Sequence, residues 1–155
     1  MAVTIDLTLL KKLREETSAS ISDCRRALEE SNGDYKKALS WLQKRAAEKA
    51  EKKANRETGE GYVGVYLHQN GKVAAMVTLL CETDFVARTD EFKNLAHEIA
   101  MQAAAMKPTD LKTLLEQEYI RDSSLTIEKL VKSAIGKLGE NIVVKRFKVF
   151  EIGQE

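Results

Sequence analysis

Several things are scarce in this chain. Of its 155 residues one is proline, two are cysteine and two are histidine, and aromatic residues make up only 6%. Two cysteines do not form a disulfide framework, so the fold must rest on a packed core. No apolar run approaches the roughly 18 residues of a membrane span, and the first residues carry acids and spaced leucines rather than a basic patch, an apolar block and a cleavage site. The expectation is a cytoplasmic protein that touches no membrane. Net charge is nearly absent too: 25 Lys and Arg face 24 Asp and Glu, leaving +1. That excludes a polyelectrolyte that coats nucleic acid with its whole surface. His68 and His97 have no metal-ligand spacing to each other, to Cys24 or to Cys81. There is no glycine-rich phosphate loop. These absences leave no catalytic residues, no metal site and no cofactor to expect. Cys24 and Cys81 read as buried small side chains rather than reactive thiols, and the two histidines as structural or exposed.

What is present is a hydrophobic fraction of 43%, enough for a core in a chain of this length. Residues 1–43 read as three short helices. Leu9, Leu10 and Leu13 set the first, with Asp6 as its N-cap, and it ends in the hydroxyl-rich Thr17–Ser20. Ser20 and Asp23 form an S-x-x-D start for the second, whose apolar face is Ile21, Cys24, Ala27 and Leu28. Asn32-Gly33 stops it, and Asp34 caps a third helix carrying Tyr35, Ala38, Leu39 and Leu42, with Trp41 enlarging the small core. Residues 44–60 begin as KRAAEKAEKKANRE, which favours helix but offers no large apolar side chain; the stretch is expected to be an exposed helical linker with no buried face.

Residues 61–155 form a second unit. Tyr62–His68 is a strand by its β-branched and aromatic content, Asn70-Gly71 a hairpin turn, and Lys72–Cys81 a nearly continuous apolar run expected to be buried on both faces. A helix follows with Phe92, Leu95, Ala96, Ile99 and Ala103 on one stripe, capped by Thr89 and ended by Pro108. Leu111–Leu115 is a helical turn. Thr126–Leu138 is a further helix, with Ile127, Leu130, Val131, Ala134 and Leu138 inward, broken by Gly139. Ile142–Ile152 is a third strand whose alternation is imperfect. The fold class is therefore α+β: a three-helix module, a helical linker, then a three-stranded antiparallel sheet packed with helices. A sheet this narrow has two unpaired edges, which invites a homodimer that continues or covers it.

The stretch Cys81-Glu82-Thr83-Asp84-Phe85-Val86-Ala87-Arg88 sits between a buried strand and a helix. Two readings are open. Asp84 caps a turn and Phe85 plugs the core, or the loop projects Phe85 as a wedge and Asp84 as a polar tip toward a partner.

Three segments in register resemble the bacterial translation elongation factor Ts family. Leu13–Thr17 through Asp23–Leu28 and Gly33-Asp34 is similar to that family's ubiquitin-associated-like helical module. The Cys81–Arg88 stretch is similar to its most diagnostic motif, and Leu138-Gly139-Glu140-Asn141-Ile142 followed by Lys145-Arg146-Phe147 to its C-terminal strand. The resemblance covers nearly the whole chain. Departures stand at Ser18 and Ser20, where glycine is frequent, at Gln102, where histidine is common, and at Lys148, in a region where some short relatives carry a cysteine. The chain has one core half and no room for an inserted helical hairpin.

The resemblance implies a guanine nucleotide exchange factor for elongation factor Tu, engaging it GDP-bound and nucleotide-free, with no direct nucleic-acid role. It implies that Thr83, Asp84, Phe85 and Val86 enter the GTP-binding domain near the Mg²⁺ and phosphate site. It further implies that Arg14, Ile21 and Ser22 grip that domain from another side, and that Leu138 and Gly139 make a second core contact. Ile21 and Leu138 read equally as packing residues, and Arg14 as a solvated charge. Short members pair two chains, which implies a homodimer. The alternative is a ubiquitin-associated-like binding module joined to an α+β dimerisation domain without exchange activity.

Overall fold

The structure is a computed structural model describing residues 4–154. In chain order its elements are α1 (Leu7–Thr17), α2 (Ile21–Glu30), α3 (Tyr35–Lys53), β1 (Glu60–Leu67), β2 (Val73–Cys81), α4 (Asp84–Ala87), α5 (Asp90–Met106), α6 (Leu111–Glu116), β3 (Glu118–Tyr119), β4 (Asp122–Thr126), α7 (Ile127–Leu138) and β5 (Val143–Glu151). Asp6, Ser20, Asp34, Thr83, Thr89, Asp110 and Thr126 cap the helices in that order. Each side-chain oxygen accepts a backbone amide that the first turn leaves without a partner.

The N-terminal helices close on Leu13, Cys24, Ala27, Leu28, Ala38 and Leu42. Ile21 is not part of that core: it is the first residue of α2 and is left 53% exposed at the open end of the face that buries Cys24 and Leu28. Ser18 and Gly33 adopt left-handed backbone at the two interhelical turns. Serine thus performs the first turn without a glycine there.

The charged segment after Trp41 differs from its expectation. Residues up to Lys53 continue α3 without a break, and they do bury a face. Ala50 is buried in the second core, and a Cβ placed on Gly136 of α7 would lie 3.4 Å from Ala46 Cβ. Small side chains on α3 and a glycine on α7 let two backbones approach closely, so a seam forms without any large apolar residue. Alanine spacing, rather than bulk, carries the burial.

The sheet runs β1-β2-β5, antiparallel throughout. α5 lies across one face of it, and the two backbones come close at Gly64, where a Cβ would fall 2.6 Å from the carbonyl carbon of Ala96. Among the described residues only that face is covered. Ala75, Val77, Leu79 and Cys81 point into the core, whereas Met76 is exposed on the other side; β2 is therefore not buried on both faces. Beside Met76 stand exposed Val65 of β1 and, further along, Leu67 and Phe150. The continuous apolar run of β2 has a helix-facing half and an open half. The imperfect alternation of β5 comes from a register shift opposite Thr78 and Leu79, which pair with Arg146 and Val144. The extra residue, Lys145, lets Val144 and Phe147 both face the helices.

The small hairpin of β3 and β4 was not legible in the sequence. Gln102, fully buried on α5, holds it: its Nε2 donates to the Glu118 carbonyl at 3.0 Å, and its Oε1 accepts from the Ile120 amide at 3.0 Å. The side chain is fully enclosed within the chain, where its amide serves the hairpin.

Candidate partner-binding site

β2 ends at Cys81, and the chain turns through Glu82 into the single helical turn α4. The sequence reading of an open loop is corrected here. Thr83, in extended backbone, is the N-cap; its Oγ1 accepts from the Val86 amide at 3.4 Å. Asp84 does not cap the turn. It is the first helical residue and pairs with Arg88 at 3.1 Å on the surface, where such a pair contributes little stability. Thr89 closes the turn by donating to the Val86 carbonyl at 2.8 Å, and its Oγ1 accepts the Phe92 amide that opens α5. Ala87 is buried and Val86 packs against the core. Phe85 is left with 79% of its surface exposed, so it does not plug the core.

The turn is braced from beneath. Glu140, just past the left-handed Gly139 that ends α7, accepts from the Glu82 amide at 3.1 Å and the Thr83 amide at 3.0 Å with one oxygen. Its other oxygen accepts the Thr83 hydroxyl at 2.6 Å. Glu82 reciprocates by accepting the Asn141 amide at 2.7 Å. The Asn141 side chain, 4% exposed, donates to the carbonyls of Ala54 and Arg56 at 3.3 and 3.0 Å. The Cys81 thiol donates to the Thr83 carbonyl at 3.1 Å, and burial pushes its pKa up, so it is a poor nucleophile. Burial likewise raises Cys24. Sequence reasoning did not assign roles to Glu82, Glu140 or Asn141. The signal available was a polar Glu140-Asn141 pair between a helix stop and an apolar strand, but their partners lie 57 to 87 positions away.

Leu138 and Gly139 adjoin this brace. Leu138 is half-buried against the core, and Gly139 is exposed. The structure therefore brings Thr83–Val86 and the Leu138-Gly139 corner to one end of the sheet. Arg14, Ile21 and Ser22 are exposed around the first interhelical turn of the other module. A groove of about 260 Å³ separates the two, with Glu16, Thr17 and Ser18 on one bank and Glu91, Lys137 and Leu138 on the other. Among the described residues no cluster of His, Cys, Asp and Glu is arranged to hold a metal ion, and no helix is long and apolar enough to cross a membrane.

A family model described as elongation factor TS matches residues 82–155, the segment that contains the brace and the exposed phenylalanine. The chain is 40% identical over 194 aligned positions to elongation factor Ts of Thermotoga neapolitana, covering 97% of this chain and 98% of that protein. It is 38% identical over 196 positions to elongation factor Ts of Synechocystis, covering 97% of this chain and 90% of that one. A chloroplastic elongation factor Ts of Guillardia theta is 39% identical over 200 positions, covering 99% and 91%. These relatives place the chain among the translation elongation factors. More narrowly, it belongs to the elongation factor Ts family. The 194 positions aligned with the Thermotoga protein exceed the 155 residues here by 39, so that relative carries sequence this chain lacks.

Proposed function

We propose that this chain binds elongation factor Tu and promotes release of its GDP, so that GTP can follow. The observation that carries the reading is Phe85, a large apolar ring held 79% exposed on a braced turn, in the segment matched by the family model. Thr83, Asp84, Phe85 and Val86 enter the partner's GTP-binding domain beside its Mg²⁺ and phosphate site. The ring displaces the helices there. A bound nucleotide is held largely by charge-assisted bonds to backbone amides and by the metal, both steep in distance, so a small displacement weakens it greatly. No covalent bond is made or broken. By linkage, nucleotide binding weakens this chain's hold to the same extent that the chain weakens the nucleotide's.

Arg14, Ile21 and Ser22 supply a second grip from the N-terminal module, and Leu138 and Gly139 extend the first. Ile21 supports this reading, since it stands outside the module's core and leaves about half of an apolar side chain open to a partner. A second copy of the chain covers the open sheet face of Val65, Leu67, Met76 and Phe150, which a lone sheet leaves in water.

The test is release of fluorescent GDP from elongation factor Tu in stopped flow, with excess unlabelled GDP. Acceleration that grows with the concentration of this chain and disappears in Phe85→Ala supports the reading; a folded chain that leaves release at its spontaneous rate refutes it. Sedimentation of Val65→Lys tests the pairing, with a monomer expected where the natural chain is a dimer.

A further inference from the structure

We propose that Glu140 and Asn141 are positioning residues for Phe85: with Glu82 they lock the Thr83–Val86 turn onto the root of α3 and so fix where the ring stands. The role rests on the reading that this turn enters the partner. A helix of four residues does not hold itself, because nucleation costs more than one turn of hydrogen bonds returns. Within α4 the backbone offers little beyond the Ala87 amide to the Thr83 carbonyl at 3.2 Å and the Arg88 amide to the Asp84 carbonyl at 3.1 Å. Phe85, being mostly exposed, adds almost no packing. The order of the turn must come from outside it.

Glu140 is the principal source. Its carboxylate takes three hydrogen bonds from two consecutive residues, at 3.1, 3.0 and 2.6 Å. Among the described residues it has no Lys, Arg or His partner, so the carboxylate is held by backbone amides and a hydroxyl rather than by an ion pair. Those donors lie just before the ring on the chain. Asn141 extends the lock in the other direction. Its amide meets Glu82, and its side chain joins the carbonyls of Ala54 and Arg56, the first residues beyond α3. Arg56 in turn reaches Glu82 at 3.5 Å. The aromatic tip and the helix that carries the N-terminal module are thus tied at one node. None of these residues touches the exposed face of Phe85; they act through the backbone that presents it.

The experiment compares the natural chain with Glu140→Ala and Glu140→Gln. Release of fluorescent GDP from elongation factor Tu is followed over a concentration series, and amide hydrogen exchange is read residue by residue in the free chain. In Glu140→Ala the half-saturating concentration should rise by about ten- to a hundredfold, the scale of one or two bonds to a charged acceptor. The Glu82 and Thr83 amides should exchange at least as much faster, while Ile99 in the core keeps its protection. Glu140→Gln keeps an oxygen for both amides and should recover most of both readouts; should the alanine variant fold poorly, Glu140→Ser, too short to reach either amide, takes its place with the same expectations. Phe85→Ala added to Glu140→Ala should lower release little further, because both act by one route. Wild-type release in Glu140→Ala overturns the role, as does lost release with the amides still protected. If the natural chain itself fails to accelerate release, the exchange reading falls, and the protection data alone then decide whether Glu140 holds the turn.

Discussion

Replacing Phe85 with alanine separates a partner contact from a core residue, because the two predict opposite balances of stability and activity. A phenylalanine side chain presents about 200 Å². With 79% exposed, roughly 40 Å² is covered within the chain and roughly 160 Å² remains for a partner. At about 25 cal/mol per Å², the intramolecular share is worth about 1 kcal/mol and the remainder about 4 kcal/mol. In a chain of this size the first figure lowers the melting temperature by about 2–4 °C. The second, at about 1.4 kcal/mol per tenfold, sets a ceiling near a thousandfold on the loss of apparent affinity for the nucleotide-free partner. Calorimetry reads the first and stopped-flow release of fluorescent GDP the second. A core phenylalanine would instead cost about 3–5 kcal/mol of stability. A fall in melting temperature beyond about 10 °C would therefore refute the exposed geometry. Release within about threefold of wild type, with melting intact, would refute the wedge, since it corresponds to well under 1 kcal/mol of the roughly 4 available.

Other expectations follow from particular contacts. Gly64→Ala places a Cβ 2.6–2.7 Å from the backbone of Ala96, so α5 must retreat from β1; a loss of about 1–3 kcal/mol is expected in denaturant titration. Gln102→Leu leaves the Glu118 carbonyl and the Ile120 amide unpaired, at about 1–3 kcal/mol each, and should selectively speed hydrogen exchange of the Ile120 amide. The Lys49 ammonium, bonded at 2.8 Å to Asp23, holds that carboxyl below its ordinary value of 3.8. A depressed folded pKa stabilises above the unfolded value and loses that contribution as pH falls through the folded one. Thermal melts of Asp23→Asn should therefore lose less stability than wild type on going below about pH 4.

The helices and strands were legible largely because their boundaries are chemical. Asp6, Ser20, Asp34, Thr89 and Thr126 cap where hydroxyls and carboxylates precede apolar periodicity, and Gly33 and Gly139 stop helices in left-handed backbone. What escaped notice depends on contacts distant in sequence. The seam of Ala46 and Ala50 against α7 looks, from composition alone, like a solvated stretch, because an alanine face carries no hydrophobic bulk to register. The short hairpin of β3 and β4 exists because Gln102 supplies it with hydrogen bonds from another element. At the site, the motif around Phe85 stood out, but whether its ring points inward or outward did not. The residues that lead into the turn are bonded to Glu140, more than fifty positions later, a contact that no local pattern announces.

The unbroken run of α3 has a mechanical consequence. Nineteen residues at about 1.5 Å each make a lever roughly 28 Å long. The three-helix module rides at one end, and the fulcrum is the other, where Ala50 packs into the second core and Ala54 and Arg56 meet Asn141. A tilt of about 5° there would swing the far end by about 2.5 Å, the length of a hydrogen bond. Alignment of the module against anything it grips is thus set by the angle at the fulcrum. Residues that fix that angle have leverage over a surface they never reach.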